Sequence, residues 1–119
     1  MVEDDAALLE SLESFLSRRG HKVKAFRSAT EAWDSLVAED SSPAVIIADL
    51  TLQGMSGQEF IRRVMKRDPT VAVIATSGYP MLLASLGLPK EARVALLQKP
   101  FSPRMLTEAL DGLFGRSPV

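Results

Sequence analysis

Acidic residues and one lysine stand where short apolar runs of this sequence end. Three adjacent carboxylates occupy residues 3–5, Asp49 lies near the end of a second apolar run, and Lys99 directly follows a third. The chain has no cysteine and a single histidine, so its metal-binding atoms are mainly hard oxygens, which suit Mg²⁺. An aspartate can also accept a phosphoryl group as an acyl phosphate. These residues therefore predict Mg²⁺-supported phosphate chemistry, provided that the fold brings them together.

Apolar periodicity predicts the elements that would bring them together. Helical spacing is found in four segments, at 8–16, 28–37, 60–65 and 105–114, and a less regular helical segment covers 81–88. Continuous apolar runs predict strands at 44–50, 70–75 and 93–98, and shorter extended stretches lie at 1–2 and 23–26.

Strands that alternate with helices predict parallel crossovers and an α/β fold. We expect a doubly wound, five-stranded parallel sheet flanked by five helices, in one domain over residues 1–119. A strand usually has about five residues, and residues 1–2 supply only two. The sequence therefore predicts a truncated first strand and a domain excised from a longer protein.

Composition excludes several functional classes. Lys and Arg total 14 against 15 Asp and Glu, so no strong positive field attracts nucleic acid, and we expect no direct nucleic-acid binding. The lack of cysteine excludes disulfides, zinc thiolate sites and thiol nucleophiles. No membrane segment or signal peptide is apparent, and we expect a cytoplasmic location.

The polar residues at the predicted strand ends also have individual structural explanations. Asp5 could cap the first helix, Asp49 could begin an Asx turn, and Ser77-Gly78 could be an ordinary turn. However, parallel strands present their carboxyl ends at one edge of the sheet, where ligands bind. Two carboxylates about 4 Å apart repel by about 4 kcal/mol at an effective dielectric of 20. A cation is therefore expected there, either a divalent ion or the ammonium group of Lys99.

Four motifs in order resemble the response-regulator receiver domain of two-component signalling: VEDD at 2–5, IIADLTLQGMSG at 46–57, VIATSGYP at 73–80 and LQKPFS at 97–102. The resemblance covers essentially the whole chain. It implies a flavodoxin-like sheet with strand order 2-1-3-4-5. It also implies Asp49 as phosphoacceptor, Lys99 as phosphate-contacting cation, Ser77 as switch hydroxyl, and an ion of Mg²⁺ (or Mn²⁺) held by Glu3, Asp4, Asp49 and the backbone carbonyl of Thr51.

The resemblance further implies the partners and the type of activity. A histidine kinase or histidine phosphotransfer protein would donate the phosphoryl group, and the chain would be a signalling switch with intrinsic self-phosphorylation and slow autodephosphorylation, not a metabolic enzyme. A homodimer would form through the segments 81–88, 93–98 and 105–114. The SGYP and QKPFSP segments are similar to receivers attached to hybrid sensor histidine kinases.

Three features depart from the receiver pattern. Leu96 stands where the family often has an aromatic residue, and Tyr79 is a candidate substitute for it in switching. Gln53 stands where proline is common, and the first strand is short.

A pseudo-receiver that binds partners without phosphorylation is the alternative function. An aspartate-dependent phosphohydrolase would need a second acid at the position of Thr51. A flavin-binding relative of the fold would hold a phosphate in its first loop, and the carboxylates of VEDD would repel that phosphate.

Overall fold

The computed structural model describes residues 1–40, 42–51 and 55–115 of the chain. The prediction concerning Gln53 lies outside these residues. The α-helices are α1 (Ala6–Arg18), α2 (Ala29–Glu39), α3 (Gly57–Arg67) and α4 (Pro103–Leu113), and the strands are β1 (Val45–Asp49), β2 (Ala72–Ser77) and β3 (Arg93–Gln98). None of the helices in the described part of the chain combines the length and apolar character needed to cross a bilayer.

The three strands form a parallel sheet in the order β1-β2-β3. On the open side of β1, Val2 forms isolated parallel bridges with both Ala48 and Phe26. The spatial order is therefore the Phe26 segment, the Val2 segment and then the three strands. This is the expected order, although the first two positions are single-residue bridges.

The predicted count of five strands and five helices is not confirmed, since the described residues form three strands and four α-helices. Two residues at the start of the chain are too few for a longer ladder. The predicted helix at 81–88 is a short 3₁₀ helix, Leu83–Leu86, which ends where Gly87 adopts a left-handed conformation with φ of 65°.

The strand predicted at 70–75 is found two residues later, at Ala72–Ser77. Asp68 explains the shift, because its Oδ1 accepts hydrogen bonds from both the backbone N and the Oγ1 of Thr70. These two bonds hold Thr70 in a turn, so the strand begins after it. As a result Thr76 and Ser77 are the last residues of β2, not the loop that follows it.

Strand alternation divides the core between the two faces of the sheet. One face carries Ile46 and Val73 and packs with α2 and α3, and the other carries Ile47 and Ile74 and packs with α1 and α4. Helices therefore cover both faces, as expected for a doubly wound sheet. The N-terminus of each α-helix is also specified locally, because the side chain of its N-cap residue accepts a hydrogen bond from the first turn: Asp5, Ser28, Ser56 and Ser102.

Candidate functional site

The acidic pair at the start of the chain is positioned by hydrogen bonds on both sides of one residue. The Val2 N–H donates to the Ile47 carbonyl at 2.8 Å, and the Asp49 N–H donates to the Val2 carbonyl at 3.1 Å. On the opposite side, the Glu3 N–H donates to the Phe26 carbonyl at 3.0 Å. These bonds set Glu3 beside the end of β1, where Asp49 lies.

Three carboxylates meet at this edge of the sheet. Oxygen atoms of Glu3, Asp4 and Asp49 all lie within 4.8 Å of one another. Glu3 and Asp49 are buried, whereas Asp4 is exposed and its carboxylate has no hydrogen-bond or ion-pair partner among the described residues. Three hard oxygen donors, one of them open to solvent, fit the preference of Mg²⁺ for few protein carboxylates and several retained waters.

Lys99 supplies a positive charge to the two buried carboxylates. Its Nζ lies 2.6 Å from Oε1 of Glu3 and 2.9 Å from Oδ2 of Asp49. Partial burial favours a lower pKa for Lys99, but the hydrogen bonds to Glu3 and Asp49 outweigh that effect and raise it. Lys99 is therefore a cation, and it bridges the ends of the Val2 segment and β1.

The carboxylate of Asp49 is the most heavily hydrogen-bonded group of the site. Its Oδ1 accepts from the N–H of Thr51 at 2.9 Å and from the Thr51 Oγ1 at 2.8 Å, while Oδ2 accepts from Lys99. Burial alone would raise the pKa of Asp49, but the bonds from Thr51 and Lys99 lower it overall. Asp49 is therefore held ionised. The bond from the Thr51 N–H also makes Asp49 the first residue of an Asx-type turn, which is one of the roles that the sequence suggested for this residue.

Glu3 behaves differently from Asp49 although both contact Lys99. Burial raises the pKa of Glu3, and the hydrogen bonds from Lys99 and from the Asp5 backbone N–H at 3.0 Å only partly offset it. Asp5 itself does not join the cluster. Its Oδ1 accepts from the Leu8 N–H at 3.1 Å, which confirms the prediction that it caps the first helix.

Ser77 lies at the same edge of the sheet, one strand further along. It is the last residue of β2 and is fully buried, and its carbonyl accepts from the Lys99 N–H at 2.7 Å. Its Oγ accepts from the Tyr79 N–H at 3.0 Å. Described contacts thus join Ser77 to the loop after β2 and to the backbone of Lys99.

The two residues singled out for tuning are not in comparable environments. The Tyr79 side chain is 69% exposed, whereas Leu96 is half-buried and packs against the core on the α2 and α3 face of the sheet. Because the Tyr79 ring already lies in solvent, it could not act as a switch by moving out of a buried position. The assignment of Tyr79 and Leu96 to switching stays a prediction, as does the Thr51 carbonyl as a metal ligand.

Two residues that border the site were not singled out from the sequence. A Cβ atom added to Gly57 would lie 1.9 Å from the Asp49 carbonyl oxygen, so only glycine lets α3 begin this close to β1. The position of Gly57 directly after the capping Ser56 is the available sequence signal. Arg27 donates from Nη2 to the Asp4 carbonyl at 3.3 Å and places a second cation at the rim.

Residues 1–111 match the family described as the response regulator receiver domain. This chain therefore belongs to the receiver-domain family. The match agrees with the parallel sheet covered on both faces and with the acidic cluster facing a lysine.

The chain also resembles individual regulatory proteins. It is 31% identical over 108 residues to the response regulator protein FleR of Pseudomonas aeruginosa, and 28% identical over 106 residues to the sensor kinase CckA of Brucella abortus. The matches cover 91% and 89% of this chain but only 22% and 11% of those proteins. A solved response regulator receiver protein from Sinorhizobium medicae superposes with a TM-score of 0.83 at 28% identity, covering 96% of this chain and 90% of that one.

Proposed function

We propose that this domain accepts a phosphoryl group on Asp49 and relays a signal by changing conformation. The observation that supports this most strongly is the state of Asp49, a buried and ionised carboxylate that contacts Lys99 and lies within 4.8 Å of Glu3 and Asp4. An ionised carboxylate is the nucleophilic form, and the surrounding groups are those that neutralise a phosphoryl group in transfer.

The hydrogen bonds of Asp49 assign different tasks to its two oxygens. Oδ1 accepts two hydrogen bonds from Thr51, which fix the plane of the carboxylate. Oδ2 accepts one, from Lys99, and keeps a lone pair for attack on phosphorus. A new O–P bond forms to Asp49 as the N–P bond of the donor phosphohistidine breaks, and the imidazole leaves with the electron pair of that bond.

Lys99 would balance negative charge throughout this transfer. Its ammonium already contacts Asp49 and can follow the charge to the phosphoryl oxygens. Glu3, Asp4, Asp49 and the Thr51 carbonyl would hold Mg²⁺ (or Mn²⁺), which when bound neutralises phosphoryl oxygens and counters repulsion between donor and acceptor. Ser77 would donate its hydroxyl to the new phosphoryl group and so couple phosphorylation to the loop after β2.

The partners and context follow from the same chemistry. The donor would be a histidine kinase or a histidine phosphotransfer protein in the cytoplasm. The resemblance to the sensor kinase CckA supports a receiver attached to a hybrid kinase, and the resemblance to FleR supports one attached to a response regulator. A homodimer would use the surface formed by the 3₁₀ helix, β3 and α4.

Intact mass spectrometry after incubation with acetyl phosphate and Mg²⁺ tests the phosphoacceptor. We expect a mass increase of one phosphoryl group. The increase should be absent when a chelator is added and in the Asp49→Asn variant, and largely absent in the Asp4→Asn variant. The exposed Asp34→Asn variant in α2 is the matched control and should be labelled normally.

Beryllofluoride with Mg²⁺ gives a second, non-covalent test by amide NMR. Shifts at Thr51 and Ser77 would support the proposed site. A folded domain that gives neither the covalent adduct nor these shifts would be a pseudo-receiver, a module that binds partners without phosphorylation.

A further inference from the structure

The solvent face of α3 is rich in positive charge. Glu59 is the single acid of this helix, although the whole chain has a net charge of −1. Against it stand four exposed cationic residues: Arg62, Arg63, Lys66 and Arg67. Positive charge is therefore concentrated on one helix of a protein that has no overall excess of it.

Helix stability does not explain all four charges. Lys66 and Arg67 lie in the last turn, where cations interact favourably with the helix dipole. Arg62 and Arg63 lie before that turn. Each of these two arginines has another cation four residues further along, and like charges at this spacing destabilise a helix. The cations are better explained by contact with an opposite charge outside the domain.

An open groove between α2 and α3 is the place where such a contact can form. One wall comes from α3 and carries three of the cations, at spacing i, i+3 and i+4: Arg63, Lys66 and Arg67. The other wall comes from α2 and its C-cap: Trp33, Val37 and Asp40. Val37 is 50% exposed, so the groove offers apolar surface beside its positive charges.

The two arginines of the groove are held in place by contacts within the domain. Cζ of Arg63 lies 5.7 Å from the centre of the Trp33 ring, and Nε of Arg63 donates to Oε1 of Glu59 at 3.1 Å. Nη2 of Arg67 donates to Oδ1 of Asp40 at 2.8 Å. A guanidinium has more N–H donors than these contacts use, so each arginine keeps donors for a further carboxylate. The groove is therefore organised before a partner binds, which reduces the entropy lost on binding.

Charge and shape together indicate the kind of partner. A groove between two packed helices can accept a third helix, and cations on one helix face match carboxylates spaced i, i+4 on that partner. Exposed Val37 suits an apolar residue beside those carboxylates. A phosphate-rich partner fits less well, because Asp40 lines the groove, Val37 offers a phosphate no contact, and the net charge of −1 gives no long-range attraction for a polyanion.

We propose that the groove between α2 and α3 is a docking surface for an acidic amphipathic helix of a partner protein. The carboxylates of that helix contact the three groove cations, and its apolar residues cover Val37. Lys66 lies roughly 13 Å along the helix axis from Gly57, the residue that adjoins Asp49. The groove is thus away from the acidic edge of the sheet, and this inference does not depend on phosphorylation of Asp49.

Titration with a synthetic peptide of four Glu-Leu-Ala-Ala repeats tests the proposal, because its Glu and Leu residues form adjacent stripes on a helix. Trp33 is the chain's single tryptophan and lines the groove, so its fluorescence reports binding there. We expect a saturable change at low salt that weakens as the ionic strength rises. A Gln-Leu-Ala-Ala peptide should give no change, and a Glu-Ala-Ala-Ala peptide should bind more weakly than the Glu-Leu-Ala-Ala peptide.

Lys66→Gln and Arg62→Gln are a matched pair of variants. Both residues are exposed cations of α3 without a hydrogen-bond or ion-pair partner among the described residues, but only Lys66 lines the groove. Lys66→Gln should weaken peptide binding by about two- to fivefold, the range for one exposed ion pair. Lys66→Glu should weaken it at least about tenfold, whereas Arg62→Gln should change it by less than about 1.5-fold.

Three results would overturn the proposal. The first is an unchanged Trp33 spectrum with the Glu-Leu-Ala-Ala peptide, or equal binding of the Gln-Leu-Ala-Ala peptide. The second is equal weakening by Lys66→Gln and Arg62→Gln, because the peptide would then respond to the general charge of α3 and not to the groove. The third is tighter binding of oligothymidylate or of phosphatidylserine vesicles than of the acidic peptide, because the surface would then favour phosphates.

Discussion

Replacing Lys99 by methionine would leave two buried carboxylates without their shared cation. Oxygens of Glu3 and Asp49 lie within 4.8 Å of each other, and both side chains are at most 4% exposed. At that separation and an effective dielectric near 20, their repulsion is at least about 3.5 kcal/mol. The Lys99 side chain is 24% exposed, so some water can enter, and we expect Lys99→Met to lower the free energy of unfolding by about 3 kcal/mol at pH 8.

Two conditions should reverse this loss for the same reason. Mg²⁺ can replace the missing charge, and at one hundred times its dissociation constant it would restore about 2.7 kcal/mol. Acid should also help, because burial raises the pKa of Glu3 and loss of Lys99 would raise it further. The folded variant then binds a proton more readily than the unfolded chain, so the deficit should shrink as the pH falls from 8 toward 5.

Urea unfolding with and without Mg²⁺ at these two pH values measures all three effects. Lys90→Met is the matched control, since Lys90 is exposed and precedes the opposite end of β3. Its stability should change by less than about 0.5 kcal/mol under every condition. The reasoning would be refuted if Lys99→Met were as stable as the parent chain in metal-free buffer, or if Mg²⁺ stabilised both proteins equally.

Three further substitutions test separate contacts. Gly57→Ala should destabilise the fold by about 1–3 kcal/mol, because its Cβ would meet the backbone oxygen of Asp49. The control Gly112→Ala in α4 adds a Cβ that meets nothing, and it should be neutral or stabilising by up to about 1 kcal/mol. Thermal unfolding of the two variants measures the difference. Asp5→Ala should cost about 1 kcal/mol of capping energy in urea unfolding yet leave labelling by acetyl phosphate intact, and loss of labelling would place Asp5 in the acidic site. Leu106→Ala should cost about 2–5 kcal/mol, since this side chain is fully buried, and a smaller loss by calorimetry would mean that the core collapses around it.

The sequence was sufficient to predict which residues gather at the carboxyl edge of the sheet. Periodicity identified the strands before Asp49 and Lys99, and in a parallel sheet those strand ends must lie at one edge. The cap at Asp5 was also predictable, because capping depends on residues only three apart. Local pattern and parallel topology together were enough for these features.

Features that depend on distances between elements were not predictable in this way. The sequence indicated a cation near the carboxylates, but only the folded chain brings Lys99 within 2.6 Å of Glu3 as well as 2.9 Å of Asp49. The hydrogen bond from Tyr79 to Ser77 depends on the path of one loop. The start of β2 shifted because Asp68 bonds to Thr70, a local preference that competes with β-propensity.

The single-residue attachment of Val2 also affects the order in which the molecule fails under stress. Glu3 and Asp4 are held to the sheet by few backbone bonds, whereas Asp49 sits at the end of a five-residue strand. Opening that small attachment requires much less free energy than melting the three-stranded sheet. Heat or mild denaturant would therefore separate Glu3 and Asp4 from Asp49 while the remaining helices and strands stay intact, and the carboxylate cluster would come apart before global unfolding.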